Sequence, residues 1–413
     1  MKKEKPNQAA PSRAESARPL SALLSQILVA FTLELDNEFE REIGKAGHPG
    51  ARLSFVLWSN LIRFVPEEGV SVRDLAKRAL LEEQQIKFML GCLERWRFAT
   101  LEPGAKPDNK PKKLLKSGLA VRDGWGSGRG IGSDWIVKLT PTRGAEAKRI
   151  WAPLAGSIES RWLSRFGKDE IRQLRGALQS IVGRLDVELP HGFIDIRYRK
   201  RPFPPRQNPD AVDLPLPVLL SQALLAFAID FERESMAPLA LCAGTIRVLG
   251  EKPTRESEIA RLTGSSPETS GIGWQIKPYI VVEPDPAARR GKVIRLSPRG
   301  LLAQRNYQRL AAEIEERWQG RFGRENVSAL RQSLEALMGA EKADHLLLSE
   351  GLVPAEGTTR AGDVAPALGR RDVGAAAKQR ARDLAAQTEE FVRDPAGTLP
   401  HYPLWDMNRG FGP

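Results

Sequence analysis

Apolar residues near the start of the chain recur at the spacing of an amphipathic helix. The repeated positions are Leu23, Ile27, Phe31 and Leu35. Residues at this spacing lie on one face, so the pattern predicts a first helix with a single apolar stripe. The apolar run over residues 20–33 is short for a membrane span and is interrupted by polar residues, which favours a helix of the protein core. A second core helix is predicted over residues 53–65.

A helix, a turn and another helix are predicted next, followed by a hairpin. Ser71 stands three residues before Asp74, a capping-box spacing that marks a helix start. After a break near Leu81, apolar side chains again recur every three to four residues and predict the next helix. They are Ile86, Leu90, Leu93 and Trp96. Residues 98–101 and 135–139 have the composition of paired strands, which would form the hairpin.

Much of this pattern occurs twice. IESRWLSRFG at residues 158–167 is nearly repeated as IEERWQGRFG at 314–323, and the same offset relates LRGALQSIVG (174–183) to LRQSLEALMG (330–339). Three further pairs follow the same order: LLSQILVAF (23–31) with LLSQALLAF (219–227), VKLTPTRG (137–144) with IRLSPRG (294–300), and LPH (189–191) with LPH (399–401). The chain is therefore predicted to contain two copies of one unit.

The length of 413 residues leaves room for two such units and their connections. We divide the chain into a disordered basic arm (1–19), a first unit (20–196), a basic Pro-rich linker (197–213), a second unit (214–340) and an Ala/Arg-rich, partly disordered tail (341–413) that ends in the second LPH block. The N-terminal residues lack the apolar run of a secretory signal, which predicts a cytoplasmic protein with no membrane association.

These segments resemble a known family of regulators. The blocks that carry the resemblance are VSVRDLAKR (70–78), LERWRFATLEP (93–103) and VKLTPTRG (137–144), then SEIARLTGSS (257–266) and VVEPDPAARRGKVIRLSPRG (281–300). They are similar to the winged helix-turn-helix of MarR-like transcriptional regulators. The resemblance implies a mainly α fold with small β wings, and binding to double-stranded DNA as a dimer held by the N- and C-terminal helices. Two fused copies would form tandem winged helix-turn-helix domains paired as an intrachain pseudo-two-fold dimer.

The helices that contain the first repeat block have a wide apolar face. Its residues are Leu154, Ile158 and Trp162 in the first copy, and Leu310, Ile314 and Trp318 in the second. We expect each face to pack on its own copy, as in a two-fold dimer. Because fusion raises the effective concentration of the second copy, the chain is predicted to be a monomer with the architecture of a dimer.

The second helix of each helix-turn-helix offers polar side chains that could contact base edges. The first set is Gln84, Gln85, Lys87 and Arg95, and the second is Thr269, Ser270, Gln275 and Lys277. Gln suits adenine, whereas Arg and Lys suit guanine, so the two sets predict unlike half-sites about one helical turn apart. The alternative is that these side chains form only the solvated face of an amphipathic helix.

Positive charge is concentrated in the hairpin loops. Residues 104–143 contain nine Lys or Arg against three Asp. Candidate DNA contacts in the loops are Lys112, Lys113 and Arg129, and Arg289, Arg290 and Lys292. The net charge of +12 also favours a polyanionic partner.

Other kinds of site have little support. Cys92 and Cys242 lack the spacing of a zinc site, and His191 and His401 have no acidic or Cys partner at ligand spacing, so no metal is predicted. No catalytic triad order, phosphate-binding loop or carboxylate pair stands out, so neither an enzyme nor a cofactor is predicted. A small apolar or phenolic effector could lie among a group of aromatic residues that are otherwise plain core. These are Phe31, Phe39, Phe55 and Trp58.

Two functions remain from the sequence. The first is a sequence-specific, double-stranded DNA-binding transcriptional regulator that acts as a single-chain pseudo-dimer on two unlike half-sites. The second is a non-enzymatic winged-helix scaffold that docks onto other proteins in a nucleoprotein assembly. Exposure of Phe88 or Met89 on the outer face would favour the scaffold.

Overall fold

The structure is a computed structural model that describes residues 18–48, 55–104, 130–192, 202–206, 213–263, 276–287, 291–338 and 401–403. It is mainly helical, with two small antiparallel sheets, which confirms the predicted fold class at this level. We call residues 18–192 the first half, and residues 213–338 with 401–403 the second half.

The first half begins and ends with helices that enclose a small sheet. Its elements are α1 (Leu20–Lys45), α2 (Phe55–Ile62), β1 (Val70–Ser71), α3 (Val72–Ala79), α4 (Glu83–Arg95), β2 (Ala99–Glu102), β3 (Ile136–Leu139), α5 (Arg143–Phe166) and α6 (Lys168–Val182). The sheet order is β1-β3-β2, and β2 pairs antiparallel with β3. The predicted second core helix is shorter than expected, because α2 ends at Ile62.

The second half has the same order of described helices and strands, except that the segment equivalent to α4 lies outside the described residues. Its elements are α7 (Leu216–Glu232), α8 (Leu239–Leu241) with a helical segment kinked at Gly244 (Cys242–Ile246), β4 (Thr254–Arg255), α9 (Glu256–Thr263), a 3-10 turn (Lys277–Tyr279), β5 (Ile280–Pro284), β6 (Lys292–Leu296), α10 (Pro298–Phe322) and α11 (Arg324–Met338). The sheet order is β4-β6-β5, which matches the first sheet strand for strand.

The start and the end of α3 are set by residues close by in the sequence. The Ser71 hydroxyl accepts a hydrogen bond from the Asp74 amide at 3.1 Å, so the predicted cap is confirmed. Helix α3 ends where Leu80 takes a left-handed conformation, with φ 54°. The chain is extended again at Glu82 and then enters α4.

Helices α5 and α10 each have, in their first turn, a glycine that lies against the residue just before the first strand of the hairpin. A Cβ atom at Gly144 would lie 1.9 Å from the carbonyl oxygen of Phe98, and one at Gly300 would lie 2.1 Å from that of Tyr279. The amides of the two glycines donate to the hydroxyls of Thr140 and Ser297. Glycine at this place in the repeat is therefore a requirement of close packing between helix and strand.

Helix α1 is the one described helix that is long and apolar enough to cross a membrane. The fold nevertheless buries 94% of its most apolar window. It packs against α5 of its own half and against α7 and α11 of the other half. Residues 20–36 are buried on every side of the helix, so the predicted core helix is confirmed, whereas the predicted single apolar stripe is wrong. The remaining faces are covered because α7 and α11 of the other half pack against them.

Candidate nucleic-acid interface

The apolar faces of α5 and α10 are covered by the first helix of their own half. The Trp162 ring lies 4.9 Å from that of Phe31, and its indole nitrogen donates to Glu34 at 2.9 Å. In the second half, Trp318 lies 5.4 Å from Phe227 and donates to Asp230 at 2.9 Å.

These contacts correct the expectation that each apolar face packs on its repeat copy. The four remaining residues of the two faces, Leu154, Ile158, Leu310 and Ile314, are also buried. Within the described ranges, α5 makes extensive contact with α1, whereas α5 and α10 are not among the helix pairs in extensive contact. The physical reason is that α1 and α7 are apolar enough to cover these faces and still pack against one another.

The contact between the halves is made by the first and last helices of each. Helix α1 packs on α7, and α6 packs on α11. Helix α6 also contacts α7, and its repeat counterpart α11 contacts α1. The set of helix pairs is therefore the same when the two halves are exchanged.

Two arginines at equivalent positions of the repeat bridge the halves. Arg175 on α6 pairs with Glu159 at 3.3 Å and donates at 2.9 Å to the carbonyl oxygen of Leu214, just before α7. Arg331 on α11 pairs with its counterpart Glu315 at 2.5 Å. It donates at 3.0 Å to the carbonyl oxygen of Arg18, just before α1. Each half thus anchors the start of the other half's first helix.

Other contacts between the halves have no described counterpart. Arg321 on α10 pairs with Asp186 at 2.5 Å, and Arg184 donates to the carbonyl oxygen of Phe322 at 2.7 Å. Gln222 on α7 donates at 3.0 Å to the carbonyl oxygen of Leu189, in the first LPH block. The repeat counterparts of Arg184, Asp186 and Leu189 lie in the segment after Met338, outside the described residues.

Four candidate DNA-binding residues lie on α4. Gln84 and Arg95 are exposed, and Gln85 is half-buried. Lys87 differs from the expectation of a free outer side chain. Its side chain is only 18% exposed, and its amine lies 3.1 Å from the Ser133 hydroxyl and 3.6 Å from Glu83.

In the second half, the described candidates lie at the edge of the sheet. Lys277 is exposed in the 3-10 turn, and Lys292 is exposed at the first position of β6. The hairpin turn is held by Asp285, whose carboxylate accepts hydrogen bonds from Arg255 and the Ala287 amide. The other candidates lie outside the described residues: Lys112, Lys113, Arg129, Thr269, Ser270, Gln275, Arg289 and Arg290.

The charge on the first helix-turn-helix is only slightly positive. Residues 71–97 contain six basic and four acidic side chains. Three of the acids, Glu82, Glu83 and Glu94, belong to α4 or precede it directly. The net charge of this surface is therefore too small for phosphate attraction alone to explain DNA binding. The contacts of each acidic side chain must be considered one by one.

Both cysteines and His401 are buried, whereas His191 is exposed. Burial raises the pKa of Cys92 to about 11 and the pKa of Cys242 to about 12. Burial also lowers the pKa of His401 well below its usual value, so this imidazole is neutral at pH 7. In the described part of the chain, no group of three or more His, Cys, Asp or Glu side chains could hold a metal ion.

The aromatic residues considered for an effector are core residues where their side chains are described. Phe31, Phe39 and Trp58 are fully buried, and Trp58 packs edge-on against Trp96 at 5.1 Å. The side chain of Phe55 lies outside the described residues. A cavity of about 580 Å³ lies elsewhere, between the end of α3, the first LPH block and the start of α7.

Sequence reasoning missed the bridging arginines, although a signal was present. Arg175 and Arg331 occupy the second position of LRGALQSIVG and LRQSLEALMG, and their partners Glu159 and Glu315 lie in the other long repeat block. A charged pair that recurs in both copies at the same offset indicates a shared contact.

Comparison of the chain with protein-family models, curated proteins and solved structures found no match.

Proposed function

We propose that this protein is a sequence-specific, double-stranded DNA-binding transcriptional regulator in which two winged helix-turn-helix units pair within one chain. The observation that carries the proposal is the reciprocal bridge of Arg175 to Leu214 and Arg331 to Arg18. A patch that contacts its own equivalent in this way is the mark of a two-fold interface. The chain is accordingly a pseudo-dimer, with its two units related by an approximate two-fold axis.

The elements carried by this interface suit a DNA reader. Each half has a short strand, a helix and a hairpin in the order of a winged helix. In the first half, α4 follows the first of these helices; the equivalent segment of the second half lies outside the described residues. Two readers related by a two-fold axis match two half-sites of duplex DNA. Gln84, Gln85 and Arg95 on α4 are available for base edges, and Lys292 at the second hairpin for phosphate.

The scaffold alternative would have been favoured by exposure of Phe88 or Met89, and neither side chain is exposed. Met89 is only 3% exposed, and Phe88 is partly buried against the core. The outer face of α4 therefore presents polar groups rather than the apolar anchors of a protein interface. We retain DNA binding alone.

The proposal is tested by selecting bound sites from a random duplex pool with the full chain. The expected product contains two unlike half-sites about one helical turn apart, and its affinity falls steeply with salt. Gln84→Ala combined with Gln85→Ala should alter base preference in one half-site. Ser160→Ala, on the exposed face of α5, is the matched control and should leave the selected site unchanged. Absence of binding, or binding without any preferred sequence, would refute the proposal.

A further inference from the structure

Helix α4 begins with two glutamates in different surroundings. Glu83 accepts a hydrogen bond from the Ser133 hydroxyl at 2.5 Å and lies 3.6 Å from the Lys87 amine. Glu82, at the N-cap, has no hydrogen bond or ion pair through its side chain within the part of the chain that is described, and it is half-buried. The Glu83 carboxylate is therefore paired with groups of its own chain, whereas Glu82 has no such partner among the described residues.

The Glu83, Ser133 and Lys87 contacts serve to hold the helix-turn-helix together. Ser133 lies in the segment before β3, and its carbonyl oxygen accepts a hydrogen bond from the Arg73 amide at the start of α3 at 2.9 Å. The carbonyl oxygen of Trp135 accepts from the Val72 amide at 2.9 Å. The same short segment thus joins α3, α4 and the hairpin, and Lys87 is a positioning residue for α4.

Glu82 would lie near the DNA if α4 enters the major groove, as the proposed function requires. Because a carboxylate without a cationic partner is repelled by phosphate, the group in the groove that would attract Glu82 is a donor on a base edge. Cytosine presents its N4 amine there and is the base that Glu accepts from. Gln85 stands three residues on, close to Glu82 on the same side of the helix, and its side chain suits adenine.

We propose that Glu82 is a specificity-determining residue that selects cytosine in the first half-site, beside an adenine read by Gln85. Lys87 takes no part in base selection. This inference rests on the proposed function, and it adds Glu82 to the side chains that read sequence while it removes Lys87 from them.

The test compares sites selected from a random duplex pool by the full-length wild-type chain, Glu82→Gln and Glu68→Gln. Glu68 is an exposed glutamate in the turn before β1, so its variant removes the same charge away from α4. The wild type and Glu68→Gln should enrich cytosine at one position of one half-site. In Glu82→Gln, the preference for cytosine over other bases at that position should fall about tenfold. A change of this size is within the discrimination that one good side-chain contact to a base provides. Lys87→Gln should weaken binding to all sequences alike and keep the cytosine.

The outcomes separate this inference from the proposed function. If Glu82→Gln selects the wild-type site with only a changed overall affinity, Glu82 acts on the helix dipole or on phosphate and the inference fails alone. If the wild-type chain selects no duplex site, the proposed function fails and the inference fails with it. Thermal melting of each variant checks that the helix-turn-helix is folded, and loss of cytosine preference in a folded Lys87→Gln variant would also overturn the assignment.

Discussion

The guanidinium of Arg331 donates to the backbone carbonyl oxygen of Arg18 at 3.0 Å, across 313 positions of sequence. Arg175 makes the equivalent bond to Leu214 at 2.9 Å. Both arginines are partly buried, and each is paired with a glutamate of the helix before its own. Two copies of one contact, exchanged between the halves, bind the chain into a single body.

Removal of one bridging arginine should loosen a helix in the opposite half. Arg331→Met leaves Glu315, whose side chain is 14% exposed, without its partner, and we expect a loss of about 2 kcal/mol in the free energy of unfolding. Hydrogen exchange should accelerate in the first turns of α1, although α1 is not in the mutated half. Arg175→Met should have the same effect at the start of α7.

Arg172→Met is the matched control for these variants, because Arg172 is on α6 and its side chain is 68% exposed. Surface pairs of this kind contribute little, so stability and exchange should stay at wild-type values. Equal effects of Arg172→Met and Arg175→Met would contradict the bridging role.

A methyl group at the start of α5 should be far more damaging than one in its middle. Gly144→Ala would bring a Cβ atom within 1.9 Å of the Phe98 carbonyl oxygen, so helix and strand must separate. We expect a loss of about 2–3 kcal/mol in urea unfolding, and a similar loss for Gly300→Ala. Gly156→Ala, where nothing lies within 4 Å, should instead stabilise the protein by about 0.5–1 kcal/mol. Equal behaviour of Gly144 and Gly156 would rule out the close approach.

The carboxylate of Glu34 should contribute strongly to the stability of the fold. It accepts hydrogen bonds from Trp162 and from Arg165, and the side chains of Glu34 and Arg165 are 6% and 15% exposed. Glu34→Gln retains an acceptor for the indole but leaves a largely buried cation uncompensated, which should lower the free energy of unfolding by about 3 kcal/mol. Glu42→Gln, in an exposed pair, is the control and should have no measurable effect.

Both cysteines should resist modification in the folded protein. Because burial raises the pKa of Cys92 to about 11 and the pKa of Cys242 to about 12, neither thiol forms appreciable thiolate at pH 8. A thiol-specific chromogenic disulfide should therefore label neither cysteine in the native state and both in guanidinium. The raised pKa values also predict that stability is fully present below about pH 9 and falls above it, since the unfolded thiols ionise first. Rapid labelling of the native protein at pH 8 would contradict this burial.

The sequence predicted contacts that depend on nearby residues and on the repeat. Ser71 caps α3 because its partner Asp74 is three residues away, and the order of elements recurs because the blocks recur. The partner of Trp162 was assigned wrongly, since an apolar stripe shows that a face is covered but not by which helix. The link from Lys87 to Ser133 spans 46 residues, and its two ends give no local sign of each other.

The most direct test of the central claim is native mass spectrometry of the full-length chain bound to its selected duplex. A single-chain pseudo-dimer predicts one chain per duplex, with both half-sites protected from cleavage by that one molecule. Two chains per duplex, or protection of a single half-site by one chain, would contradict the pairing of the two units within the chain.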